Sequence, residues 1–319
     1  VDKNSQGIGV KFIKIVKFSL PFSHRNKFIT VSCKTPGYRI IMIIETVGES
    51  RIKRKKALDY IQKKTSCRPE YLIILGTGLG RLADQIDVEV SISYADIPYF
   101  PTSTVESHAG RLLFGKLGGK NIVAMQGRFH YYEGYSMQQI AFPVRVLKTN
   151  GANTLLVSNA CGGVNPNYRR GDIMCIVDHI NLLGDNPLLG PNDEELGARF
   201  PDMSEPYSAD LIRHAEEVAL ENGIRMHEGV YASVPGPMLE TRAEYRYLRY
   251  IGSDVVGMST IPEVISAVHM NMKVLGISVI TDECFPDALE KVNIKDILEA
   301  ADLAEPKMTK VMTNVLERL

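Results

Sequence analysis

Short apolar runs alternate with glycine-rich or polar turns along most of the chain. Tyr71–Leu75, Asn121–Met125, Thr154–Val157, Asp172–Val177, Gly229–Val234, Asp254–Thr260 and Lys273–Ile280 read as strands, and residues 88–125 alternate like strands joined by turns. Helical spacing occupies the intervals. Residues 49–65 place Ile52, Ala57, Leu58 and Ile61 on one side and a Lys/Arg run on the other, which reads as a solvated face. Residues 137–149 and 207–222 end at Asn-Gly pairs, and further helices start at Arg242 and Ile261. The last runs from about Lys295 to Leu319, with a kink expected near Pro306. Residues 178–200, rich in Gly, Pro and Asn, read as a long ordered loop, a feature that is usually functional inside a compact domain.

Several apolar strands thus run into small or polar residues. Tyr71–Leu75 leads to Gly76-Thr-Gly-Leu-Gly80 and a helix-like Arg81–Gln85, an arrangement that presents backbone N–H groups to an anion. That turn has neither the dinucleotide-binding spacing nor the P-loop lysine. Thr154–Val157 leads to Ser158-Asn-Ala-Cys-Gly-Gly163, read as a turn whose small residues let a ligand approach the backbone. An α/β domain with its site along a strand-end edge accounts for the whole pattern.

Composition narrows the classes. The 319 residues suffice for one large α/β domain or two smaller ones. Lys+Arg and Asp+Glu are 37 each, so no overall charge argues for nucleic acid or a membrane surface. Five widely spaced cysteines without a CxxC pair point to reduced thiols in a cytoplasm, not to a disulfide framework or a zinc site. No apolar stretch is long enough to span a bilayer. The balance of charge hides an asymmetry: residues 1–41 hold eight Lys/Arg against the single acid Asp2. A targeting peptide is one reading of that segment, but Lys11, Lys14 and Lys17 interrupt its apolar residues. We read residues 1–41 as lying outside the fold, ahead of a start at Met42, with 42–319 as the domain.

The densest chemistry lies in Gln126–Tyr135, Gln-Gly-Arg-Phe-His-Tyr-Tyr-Glu-Gly-Tyr. Arg128 is a fixed-charge fork suited to phosphate oxygens, His130 adds a donor, and Glu133 lies three residues on, close enough to orient it. His108 is either a structural histidine or a second anion-side group. Cys161 is either a nucleophile or a small buried filler, the latter favoured because no histidine is fixed beside it. Glu240, near the start of a helix, either complements the helix dipole or faces a ligand.

Taken together these motifs resemble the trimeric purine nucleoside phosphorylases. Gly76–Gly80, His108–Arg111, Gly127–Tyr135, Asn159–Gly163, Gly190–Asp193 and Gly257–Glu263 occur in that family's order, and the resemblance covers roughly residues 45–319. It implies one α/β domain with a central mixed, partly barrel-like β-sheet flanked by helices. It implies phosphorolysis of a purine nucleoside to free base and ribose 1-phosphate, without metal or organic cofactor. The phosphate contacts it implies fall on Thr77, Arg128, His130, Ala160 and Ser259, with His108 near the phosphate entrance. The sugar contacts fall on Tyr132 and Met258, next to Gly257. The base contacts fall on Glu240 and Asp282, with Leu239 where the family often has phenylalanine. Phe200 matches an aromatic that reaches a neighbouring subunit's site, which implies a homotrimer.

Two departures bear on substrate. The members selective for 6-oxopurines usually carry asparagine where this chain has Asp282, and an ionised aspartate can only accept. Asp282, Thr77 and the Ala-Cys-Gly around Cys161 resemble the related methylthioadenosine phosphorylases. Ile294 stands where the family often has a histidine reaching the ribose 5′-hydroxyl. Glu240 and the Arg128–Tyr135 loop keep the nucleoside phosphorylase form, so inosine and guanosine are the expected substrates. The alternative is 5′-methylthioadenosine or a broad purine range. A nucleoside-binding protein, a metal-dependent nucleoside hydrolase and a dinucleotide-dependent oxidoreductase are the rivals. The hydrolase would need a cluster of aspartates that the sequence lacks.

Overall fold

The computed structural model describes residues 45–76, 80–102, 109–291 and 293–319. Two compact units divide the chain, Val1–Thr46 and Val47–Leu319. The boundary expected at Met42 lies outside the described residues. The second unit runs α1 (Val47–Lys64), β1 (Tyr71–Leu75), β2 (Asp87–Ser93), β3 (Arg111–Leu117), β4 (Lys120–Gln126), α2 (Met137–Thr149), β5 (Thr154–Gly163), β6 (Ile173–Asn181), α3 (Ala209–Glu221), β7 (Met226–Ser233), α4 (Arg242–Tyr250), β8 (Val255–Gly257), α5 (Ile261–His269), β9 (Lys273–Glu283) and α6 (Ile294–Arg318).

The strands form one mixed sheet in the order β2-β3-β4-β1-β5-β8-β7-β6-β9, and β9 pairs back onto β5. Strands β5, β8, β7, β6 and β9 therefore close on themselves as a small barrel, while β2-β3-β4-β1 extends from it as an open wing. The centre of the sheet is parallel, β4-β1-β5-β9. Helices cover both faces, which is why β1 can be apolar at every position. On one face Leu72 and Ile74 pack with Ala57 and Ile61 of α1 and Val144 and Leu147 of α2. On the other Tyr71, Ile73 and Leu75 pack with Met308, Val311 and Met312 of α6 and Ala215 of α3.

Two sequence expectations change. Ser158–Gly163 and Thr281–Glu283 are strand, not turns beyond a strand end. The β5–β9 ladder runs from Thr154↔Lys273 to Gly163↔Glu283, with one register shift after Cys161. The small residues are there because the neighbours are close: a Cβ on Gly163 would meet Ile280 Cγ2 at 3.0 Å. Ile52 is 55% exposed, so the buried stripe of α1 is Ala57 and Ile61 with Arg54. Arg51 and Arg54 instead grip Asp193 and Glu195, with Arg54 Nη1 at 2.8 Å from Asp193 Oδ2. That tie accounts for the order of the long loop, which starts only after β6 ends at Asn181. As the sequence spacing predicts, α6 runs through Pro306 to Arg318, and Ala304, Met308 and Val311 bury its face on both sides of the proline.

Candidate active site

The loop after β4 is built around its own side chains. Gly127 and Gly134 have φ of 109° and 89°, a region open mainly to glycine, so both ends of the loop can turn sharply. The Tyr94 hydroxyl donates to the Gly127 carbonyl at 2.8 Å. Between them Tyr131–Glu133 form one 3₁₀ turn. Glu133 Oε1 accepts the His130 backbone N–H at 2.8 Å and lies 2.9 Å from His130 Nδ1. One carboxylate therefore holds both the start of the turn and the ring. The ring stacks on Tyr132, with centroids 4.6 Å apart. Burial, offset by Glu133, holds the His130 pKa below its ordinary value. The imidazole is neutral at pH 7, and with Nδ1–H given to Glu133 its Nε2 is an acceptor. Burial pushes the Tyr132 phenol up to about 12.

Arg128 is 1% exposed. Its Nη1 donates to the Ser158 carbonyl at 2.8 Å and to Ser259 Oγ at 3.1 Å, and its Nε and Nη2 donate to Glu263 Oε1 at 3.3 and 3.2 Å. Strands β4 and β5, the segment after β8, and α5 thus meet at one guanidinium. Ser259 is set by a tight turn. The Ile261 N–H donates to the Ser259 carbonyl at 2.8 Å, and Thr260 between them sits at φ 72°, ψ −51°. This is the strained form of the γ-turn, held here by Asn159 Nδ2 donating to Thr260 Oγ1 at 3.0 Å. The turn feeds directly into α5, with Pro262 in its first turn.

The site also holds two carboxylates, Glu240 and Asp282. Glu240 precedes α4, whose N-cap Thr241 accepts from the Glu244 N–H at 3.3 Å. Asp282 lies near the end of β9. The Thr281 hydroxyl lies 2.9 Å from Asp282 Oδ1, and the Cys284 thiol donates to Oδ2 at 2.9 Å. Burial raises the Glu240 pKa, the neighbouring charge of Asp282 adds to the rise, and the Tyr245 hydroxyl works against it.

These parts enclose a cavity of about 220 Å³. Arg128, His130, Ala160 and Ser259 line it, as do Tyr132, Gly257 and Met258. Leu239, Glu240 and Asp282 complete the sequence-derived set. Glu133 stands behind His130. Phe200 is 87% exposed and lines none of the cavity in the single chain. Thr77 and His108 lie outside the described residues, as does the side chain of Ile294, which opens α6. One turn further on, Ile297 lines the cavity in its own right. Sequence reasoning missed Ile297, Tyr245, Thr281 and Val256, and gave Cys161 no part in the site. Cys161 is buried, its thiol donates to the Val279 carbonyl at 3.3 Å, and burial pushes its pKa up, so it is a wall and not a nucleophile. Among the described residues no cluster of three His, Cys, Asp or Glu is placed to hold a metal ion.

The chain's sequence matches the model of a family described as the phosphorylase superfamily over residues 70–317. It is 48% identical over 268 residues to purine nucleoside phosphorylase 1 of Bacillus subtilis, covering 84% of this chain and 98% of that one. It belongs to the purine nucleoside phosphorylase family. The rat purine nucleoside phosphorylase is 44% identical over 272 residues, 83% of this chain and 94% of that one. Among solved purine nucleoside phosphorylases, isoform 2 from Schistosoma mansoni, in complex with cytosine and ribose-1-phosphate, superposes with a TM-score of 0.81 at 41% identity. That match covers 84% of this chain and 96% of the other. A Schistosoma mansoni enzyme in complex with adenosine gives a TM-score of 0.79 at 43% identity, covering 83% and 96%. The family fold is thus the closed mixed sheet described above.

Proposed function

We propose that this chain catalyses the reversible phosphorolysis of purine nucleosides, releasing the free base and (deoxy)ribose 1-phosphate. The observation that carries the proposal is the polarity of the cavity. A buried arginine hydrogen-bonded to a serine, a histidine, two carboxylates, a tyrosine and a methionine all line one cavity. On this reading the arginine, histidine and serine suit phosphate, the two carboxylates suit the purine, and the tyrosine and methionine suit the ribose.

Arg128 and Ser259 bind the phosphate oxygens, joined by the Ala160 backbone and by Thr77, with His108 near the entrance. His130, neutral and turned by Glu133, accepts from the O–H of hydrogen phosphate through Nε2. As the glycosidic bond stretches, positive charge grows on the ribose ring and negative charge on the purine. Phosphate beneath the ring stabilises the first charge and then bonds to C1′ as the base leaves. Glu240 accepts from N1–H and the 2-amino group of a 6-oxopurine, and Asp282 faces N7 and the 6-substituent. Tyr132 and Met258 flank the sugar, with Gly257 beside them. No organic cofactor or metal enters; inorganic phosphate is the co-substrate.

Inosine, guanosine and their deoxy analogues are the preferred substrates on this reading, because a site built to pair with N1–H and the 2-amino group rejects analogues that lack them. Asp282 favours a second reading that includes 6-aminopurines. The apolar Ile297, with Ile294 one turn before it, favours tolerance of a 5′-alkylthio group. The exposed Phe200 supports assembly as a homotrimer in which it reaches the next subunit's site. The free Cys67, Cys161, Cys175 and Cys284 support a reducing, cytoplasmic setting. Neither nucleic acid nor a membrane is a partner on this reading.

The test is cleavage of guanosine, inosine, adenosine and 5′-methylthioadenosine, side by side, with and without phosphate. Turnover of the 6-oxopurines that requires phosphate is expected. Equal turnover without phosphate would make the protein a hydrolase. Preference for methylthioadenosine would overturn the substrate assignment while leaving phosphorolysis intact.

A further inference from the structure

Glu240 and Asp282 line the cavity, and a buried thiol, that of Cys284, backs Asp282 from outside the lining. Cys284 is 1% exposed and its Sγ lies 2.9 Å from Asp282 Oδ2. Gly162, on the facing strand β5, makes room for it: a Cβ there would sit 2.4 Å from that sulfur and 3.2 Å from Oδ2. The thiol stays protonated, since burial and the neighbouring Asp282 both push its pKa up. It therefore donates to Asp282. Tyr245, 2% exposed, packs in the same apolar cluster as Cys284 and lines the cavity beside Glu240.

We propose that Glu240 and Asp282 share one proton when purine is bound, and that Cys284 is the positioning residue that decides which carboxylate holds it. With the proton on Asp282, Asp282 donates to O6 or N7 and Glu240 accepts from N1–H: a 6-oxopurine is read. With the proton on Glu240, Glu240 donates to the bare N1 of a 6-aminopurine and Asp282 accepts from the 6-amino group. The two states carry the same total charge and differ only in where the proton sits. The Cys284 thiol, by donating to Asp282 Oδ2, favours the ionised aspartate and with it the 6-aminopurine state. The Thr281 hydroxyl serves either state. It lies 2.9 Å from Asp282 Oδ1 and donates to the Cys161 carbonyl at 3.1 Å, so it can give to a carboxylate or receive from an acid.

The groups acting on the pair come from each element around it. They are Thr281 and Cys284 in and just after β9, Cys161 of β5, and Tyr245 and Glu244 of α4. The charge of Glu244 acts on Glu240, but that side chain is held by its bonds to Thr241. None of these groups is a cation; among the described residues Arg128, which lines the same cavity, is paired with Glu263, and Arg242 of α4 is turned to the Pro286 and Leu289 carbonyls, so a proton held between the two carboxylates relieves their repulsion.

The inference rests on the phosphorolysis reading, and the experiment separates the two. Phosphate-dependent kcat/KM for adenosine and inosine is measured from pH 5.5 to 8 for the parent, Cys284→Ala and Cys284→Ser. The adenosine-to-inosine ratio cancels the ionisation of phosphate. It is expected to be independent of pH, because both substrates use the singly protonated pair. Cys284→Ala is expected to shift the ratio about tenfold toward inosine through loss of a hydrogen bond to a charged group, and Cys284→Ser to restore it. A parent ratio that changes with pH would overturn the shared proton. A ratio unmoved in Cys284→Ala would overturn the role of Cys284. Failure of the parent to cleave any purine nucleoside would overturn the functional reading itself, and the inference with it.

Discussion

Arg128 and Glu263 form an ion pair shut off from solvent, with both guanidinium donors on that side directed at a single carboxylate oxygen. The other oxygen, Glu263 Oε2, has no partner among the described residues. The pair fixes the guanidinium from behind while its Nη1 reaches Ser259. Breaking a buried pair by removing one partner costs about 3–5 kcal/mol, because the remaining charge is left uncompensated. Glu263→Ala is expected to lose stability on that scale, and phosphate, as a replacement anion, to restore more of it than phosphate adds to the parent. Thermal melts with and without phosphate check this. An equal phosphate-induced rise in Tm for both proteins would count against Arg128 as the anion site.

Arg128→Ala probes the same end from the front. The expected result is a much raised KM for phosphate with a smaller change in the KM for nucleoside. Phosphate saturation that is undiminished would contradict the assignment.

His130 gives a pH signature. Its folded-state pKa is held below the ordinary 6.5 by burial. As pH falls through the unfolded value, the unfolded chain takes the proton first, so stability is lost on acidification and regained as pH rises. His179 and His269, also lowered by burial, act in the same direction. His130→Gln is therefore expected to show a shallower loss of Tm between pH 6.5 and 5 than the parent. An unchanged slope would mean that His130 titrates alike folded and unfolded.

How much of this was legible in the sequence differs between the two ends of the cavity. The Arg128–Tyr135 loop is contiguous, so crowding of Arg, His, Tyr and Glu between two glycines exposed the anion end directly. Glu240 and Asp282 are far apart in the chain, and no local pattern joins them; only the family resemblance put them together. Tyr245 and Ile297 were missed because each lies on a helix where an aromatic or aliphatic residue reads as core. Small residues misled in the other direction. Ser158–Gly163 resembles a turn by composition, yet it is strand, and its smallness answers to the close packing of β5 against β9 and Cys284.

Glu240→Ala tests the base end directly. It leaves the N1–H and 2-amino donors of guanosine without their acceptor, and kcat/KM for guanosine is expected to fall by about 10² or more. The phosphate KM is expected to stay near the parent's. A guanosine kcat/KM equal to the parent's would remove Glu240 from the base site.

Gly162 offers a test in which steric and chemical effects separate. An alanine Cβ would lie 2.4 Å from Cys284 Sγ, closer than any real contact, and the strand backbone of β5 is pinned to β9 on one side and β8 on the other. The thiol must move, and with it Asp282. Gly162→Ala is expected to cost about 1–3 kcal/mol in stability, as overpacking does, and to reduce turnover of purine nucleosides. Adding Cys284→Ala removes the atom that is struck. The double variant is then expected to be more stable than Gly162→Ala alone, a strongly non-additive result for two residues in contact. Denaturant melts of the two single variants and the double variant give the coupling, and strict additivity would show that the clash is relieved elsewhere in the barrel.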